Sequence, residues 1–240
     1  MLTGSVTRQG YSESAERNRV GTAGGKGEQK EMRMKSPRLA ALSGVAFVVL
    51  IAVAFTALSG ETPEIDDSAS KITSYYDDHQ GREIVAGIVV MLGALFLAIF
   101  ASSLREFVRG TGDGGDLWPN VVLIGGAVAV AGLMVAVGIH FALIDGADKG
   151  IGPDAMVALN ALDTDDFFAF AFPLGVMLLG AAGAILRDGA ALPKWMAWVA
   201  IVLLIVFFTP AGFAAFGLSG IWIIVASILM YRRAGATATA

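Results

Sequence analysis

Residues Trp195–Tyr231 read WMAWVAIVLLIVFFTPAGFAAFGLSGIWIIVASILMY, without one charged side chain. As a single helix these roughly 37 residues, at ~1.5 Å rise each, would extend ~55 Å, nearly twice the ~30 Å hydrocarbon core of a bilayer. The stretch therefore turns back on itself. Thr209-Pro210-Ala211-Gly212 near its middle supplies the turn, because proline removes a backbone donor and glycine permits positive φ. An uncharged apolar hairpin of this length belongs in lipid, where a helix satisfies every backbone polar group internally.

Working outward, four more apolar runs precede the hairpin: Leu39–Ser59, Ile84–Leu104, Val121–Ile144 and Phe167–Leu186. Together with hairpin arms at 195–209 and 213–231 they predict an all-α, six-helix transmembrane bundle over residues 38–233. Composition agrees: of 240 residues 55% are hydrophobic and 16% charged, and a mean hydropathy of +0.68 excludes a disordered chain and most soluble domains. There is no cysteine, which excludes disulfides, thiolate metal sites, iron–sulfur clusters and a cysteine nucleophile.

The net charge of −4 conceals an uneven distribution. Residues 1–37 carry Arg8, Arg17, Arg19, Lys26, Lys30, Arg33 and Lys35 in a Gly/Ser-rich setting, which predicts a disordered basic tail; 234–240 read as a second one. A start at Met32 or Met34 is an alternative that leaves basic residues ahead of the first run. Basic residues in such a tail, away from a folded element, argue against a nucleic-acid partner. Arg33, Lys35, Arg38, Arg105, Arg109, Arg187, Lys194, Arg232 and Arg233 flank one side of the predicted spans, and Lys71, Arg82 and Lys149 the other. The Lys/Arg bias then places both termini in the cytoplasm, and we expect a multi-pass protein of a bacterial inner membrane. A competing reading makes Ala57-Leu58-Ser59 a signal-peptide cleavage site, leaving five spans; the first run, at about 20 residues, exceeds the 7–15 of a signal core and favours an uncleaved helix.

The outer loops predict two short amphipathic helices. In the first, Thr62 caps, Pro63 occupies the first position, Ile65, Ala69, Ile72 and Tyr76 repeat at helical spacing, and Gly81 stops the helix. In the second, Gly152-Pro153 opens a helix through Met156, Leu159 and Leu162, before Asp163-Thr164-Asp165-Asp166 leads into Phe167. The inner Gly110–Gly115 segment lacks the spacing of a nucleotide loop, and Asp113 and Asp116 would repel phosphate.

His140 is the one physiologically titrating side chain inside a predicted span, so it heads the candidates for a ligand or proton site. Asp145, Asp165 and Asp166 at the same boundary can join it as an outward-facing ligand-binding group. The plainer readings are a hydrogen-bonded bundle histidine and, for Asp165 and Asp166, caps at the start of a helix. Asp77, Asp78 and His79 can add to the group, but no H-x-x-x-H or H-E-x-x-H spacing exists and no metal is expected. Met91, Met134 and Met177 read as packing residues, and no cofactor is expected. Neither G-x-S-x-G nor paired carboxylates within a span occurs, so no enzyme is expected. Pro173 should kink the fourth span and free a carbonyl one turn earlier.

Glycines and alanines recur through the spans, with Gly132/Ala136 and Gly180/Ala184 at small-x-x-x-small spacing. Such faces pack helices closely in lipid, and they also offer a surface to a second copy or a membrane partner. Trp118, Trp195, Trp198 and Tyr231 fall near the inner boundary, as an aromatic belt does.

The stretch Glu64-Ile-Asp-Asp-Ser-Ala-Ser-Lys-Ile-Thr-Ser-Tyr-Tyr-Asp-Asp-His79, directly before the second span, resembles one in multi-pass membrane proteins of uncharacterised function from high-GC bacteria. That resemblance implies membrane location and brings no activity or site. The functional expectation is binding or transport of a small or lipophilic solute from the outer face; the alternative is a non-catalytic scaffold or accessory subunit whose glycine faces hold a partner.

Overall fold

A computed structural model of the chain describes residues 39–58, 62–109, 115–188 and 192–236. The basic tail, the alternative starts, Ser59 of the cleavage pattern and most of the Gly110–Gly115 segment lie outside these described residues. Those described form helices and connections, without a strand. They are α1 (Ser43–Val53), which passes into a π-helical turn at Ala54–Leu58, α2 (Ala69–Arg109), α3 (Leu117–Lys149), α4 (Pro153–Asp165), α5 (Phe167–Asp188), α6 (Lys194–Phe207) and α7 (Gly212–Ala236).

Five stretches are long and apolar enough to cross a membrane: Leu39–Leu58, α2, α3, the nearly continuous α4–α5 and the greater part of α7. The remaining apolar helix, α6, has 14 residues and is therefore only ~21 Å long. Large apolar side chains such as Ile88, Leu92, Leu95, Ile124, Val202 and Ile205 stand exposed around the outside. A belt of this kind, whose natural cover is lipid, is foreign to a water-soluble surface.

Each long helix packs on its neighbour in the chain, and α7 returns to α1, so the helices close a ring around one core. Phe47, Leu97, Phe100, Leu174, Leu178 and Met196 belong to that core and are buried. The closest approach is between α3 and α5. A Cβ on Gly132 would collide with the Ala169 carbonyl, and one on Gly180 with the Val122 backbone nitrogen. The Ala169 carbonyl is the acceptor that Pro173, lacking N–H, cannot serve. Gly132 thus lets α3 settle against the carbonyl exposed by the proline, where any larger residue would collide with it. These glycine faces are occupied within the bundle, whereas Gly138 looks into open space.

The α6–α7 turn forms where the sequence places it. Thr209 Oγ1 donates to the Val206 carbonyl (2.7 Å) and accepts from the Ala211 N–H (3.2 Å), and the Gly212 N–H donates to the Thr209 carbonyl (2.9 Å). Trp222 Nε1 donates to the Met196 carbonyl at 2.9 Å, fixing α7 on α6. The other end of the hairpin runs longer than expected, since α7 continues to Ala236 through residues read as tail.

The first outer helix is a correction. It starts at Ala69, and Thr62 and Pro63 precede it in non-helical chain. Asp67 accepts from the Glu64 N–H (2.8 Å) and from Lys71 (2.7 Å), and the Ser68 carbonyl accepts from the Ile72 N–H. The Lys71 hydrogen bond, with the Glu64 N–H behind it, holds the Asp67 carboxyl below the usual carboxylate range. Gly81 does not stop this helix, and α2 runs unbroken for 41 residues. Interior glycine costs only ~1 kcal/mol relative to alanine, less than the packing of the turns on either side returns. At the end of α3, by contrast, Gly150 adopts φ 65°, a left-handed cap, and the Ile151 N–H reaches back to the Gly146 carbonyl at 3.1 Å. Pro153 then opens α4 as expected.

The first two turns of α2, the end of α3 and α4 form a cap of their own. Ile72, Tyr76, Leu143, Ile144 and Met156 make a second buried cluster there, which seats the acidic end of the bundle.

Candidate functional site

Where this cap meets the bundle, side chains from three helices converge on His140. The ring sits between two carboxylates. Nε2 lies 3.4 Å from Glu83 Oε2 on α2, and Nδ1 lies 3.4 Å from Asp163 Oδ1 on α4. Its edge meets the Tyr76 ring at a centroid distance of 5.7 Å, and the Tyr76 hydroxyl donates to Asp163 Oδ2 at 3.4 Å.

Glu83 has no solvent-exposed side-chain surface. Its Oε1 accepts from the Tyr75 hydroxyl (2.9 Å) and from Arg82 Nη2 (3.1 Å), and Arg82 Nη2 also donates to the Tyr75 hydroxyl (2.9 Å). Its Oε2, facing His140, has no hydrogen-bond partner. A buried carboxylate requires pairing of this kind, since removing an ionised group from water costs several kcal/mol. An imidazole with a proton on both nitrogens serves both carboxylates, whereas a neutral ring serves only one.

The carboxylates address opposite nitrogens of one ring, so they do not converge on a common point. Among the described residues no group of three His, Asp or Glu side chains can hold a metal ion.

Below His140 the helices line a cavity of about 470 Å³ that is open on one side. Leu133, Ala136 and Val137 of α3 and Phe167 and Phe170 of α5 supply apolar wall, and Phe55 of the π-helical turn and Phe213 of α7 stand at its edge. Phe167 contacts Phe170 edge-on at 5.5 Å and Phe213 at 5.4 Å. The polar end is made by His140, Asp163, Asp166, Thr164 and the Thr62–Glu64 segment. Asn160 Nδ2 donates to the Glu64 carbonyl at 2.9 Å, tying that segment to α4.

Of the four residues singled out from sequence, His140 and Asp166 line this cavity. Asp145 is exposed and pairs with Lys149 at 2.9 Å, away from the ring. Asp165 is exposed and is the last residue of α4, so it does not cap the start of a helix. At Asp166 it is the backbone carbonyl that accepts the Ala169 N–H (2.8 Å). Both departures have one cause: α4 and α5 follow almost without a break, leaving little free helix start to cap. His79 is held within α2, its Nδ1 2.8 Å from the Tyr75 carbonyl, and Asp77 and Asp78 are exposed. Glu83, Asp163, Tyr75, Tyr76 and Arg82 were missed as site residues.

No family model matches the chain, and no curated protein or solved structure matches it.

Proposed function

We propose that the protein binds or carries a small or lipophilic solute, admitted at the acidic end of the bundle, across a bacterial inner membrane. The observation that carries this reading is the cavity under the cap: about 470 Å³, walled by apolar and aromatic side chains, with polar groups gathered at one end. Solute sites have this character, a concave apolar body with a few converging polar groups, and volumes of roughly 300–1,000 Å³. In this reading the acidic end faces outward, Arg105, Arg109, Arg187, Lys194, Arg232 and Arg233 lie at the cytoplasmic end, and α6 and α7 form the fifth and sixth spans.

The scaffold alternative drew on glycine faces. Gly132 and Gly180 are engaged inside the bundle, which leaves that alternative with weaker support.

The test is native mass spectrometry of detergent-purified protein, comparing wild type with Ala136→Trp, which fills the cavity, and with His140→Ala. A small molecule or lipid retained by wild type and lost from Ala136→Trp supports the site. Identical ligand-free spectra for all three would overturn the reading and favour the scaffold.

A further inference from the structure

The polar end of the cavity holds more negative charge than the protein itself neutralises. Its lining includes Glu64, Asp163 and Asp166 against His140, and no Lys or Arg. The neighbouring cationic groups are already engaged: Arg82 holds Glu83 and Tyr75, and His140 stands between Glu83 and Asp163. Asp163 also accepts from Tyr76. Asp166 is half-buried at the cavity wall, and its carboxylate, unlike its backbone carbonyl, has no hydrogen bond or ion pair among the described residues.

We propose that this cavity takes lipophilic amines, with the protonated nitrogen on Asp166 and the apolar body against Val137, Phe167 and Phe170; the proposal rests on reading the cavity as a solute site. An ammonium supplies the charge-assisted hydrogen bonds that Asp166 lacks. The phenylalanine faces beside it add attraction for a cation as well as for the hydrocarbon. An anion of the same shape meets Asp163, Asp166 and Glu64 together and is repelled. A neutral molecule of the same shape fills the apolar part and gains no charge-assisted contact from Asp166.

The experiment uses protein in lipid nanodiscs and three matched probes, phenylbutylamine, phenylbutanol and phenylbutyrate, at neutral pH, with lipid-only nanodiscs subtracted. The amine should bind at least about tenfold more tightly than either partner, as one added charge-assisted contact implies. Asp166→Asn should bring the amine to the level of the alcohol without changing the alcohol, and Asp166→Glu, which keeps the charge, should preserve the preference. Ala136→Trp should abolish binding of every probe. Equal binding of alcohol or butyrate, or an Asp166→Asn protein that keeps the amine preference, overturns the ligand class while Ala136→Trp sensitivity retains the site. Binding that Ala136→Trp leaves unchanged, or no binding of any probe above the lipid background, overturns both.

Discussion

Glu83 is the residue on which most of the polar cluster depends, since it receives Tyr75 and Arg82 on one oxygen and faces His140 with the other. Glu83→Ala leaves a half-buried imidazole and a partly exposed guanidinium short of an acceptor, so about 1–3 kcal/mol of stability should be lost, read as a lower unfolding midpoint in detergent. Combined with His140→Ala the loss should fall short of the sum, with a coupling of about 0.5–3 kcal/mol; strict additivity would mean the two side chains do not interact. His140 was legible because a histidine inside an apolar run stands out. Its partners were not, since Glu83 falls one residue before the Ile84–Leu104 run and Asp163 in an acidic stretch ahead of Phe167, both outside the apolar segments. Helix phase explains the rest, at about 100° per residue. Asp145 lies five positions beyond His140 and so about 140° around α3, whereas Asp166 lies three beyond Asp163 and about 60° away, on the same side.

At the scale of elements, the decisive feature is that α2 passes through Gly81. Tyr76 and Glu83 are seven positions apart, and they share a buried face only if the helix is continuous between them. Gly81 is exposed, lacks positive φ, and a Cβ there meets nothing within 4 Å. Gly81→Ala should therefore raise stability by about 0.5–1 kcal/mol; a loss on thermal unfolding would show that the glycine is needed as a break. Gly150→Ala should do the opposite, because φ 65° at the end of α3 is strained for any residue with a Cβ. Gly132→Leu should be more severe than either, separating α3 from α5 at the Ala169 carbonyl and lowering the yield of folded protein. The apolar runs were legible as helices because burial in lipid demands long uncharged segments. The boundaries of the cap were not, because Thr62-Pro63 and Gly81 are local signals that packing of Ile72 and Tyr76 against α3 and α4 overrode.

For the whole molecule, the ring closed by α7 on α1 gives the bundle two chemically distinct ends, one acidic beneath the cap and one basic. The chain has no cysteine, so single introduced thiols report orientation without background. Asp148→Cys, exposed at the acidic end, should react with a membrane-impermeant maleimide in intact cells, and Glu106→Cys at the basic end only after lysis; the reverse pattern would invert the proposed orientation. Sequence by itself determined the helical class, the apolar segments and the α6–α7 turn, because each follows from hydropathy summed over a segment or from turn chemistry within four residues. Tertiary structure alone decided that His140 and Asp163 gather with the buried Glu83 in one cluster over a cavity, and that Asp145 and Asp165 stand outside it. Those outcomes depend on the rotation of each helix about its axis and on which helices are neighbours, and both are set by packing between segments far apart in the chain.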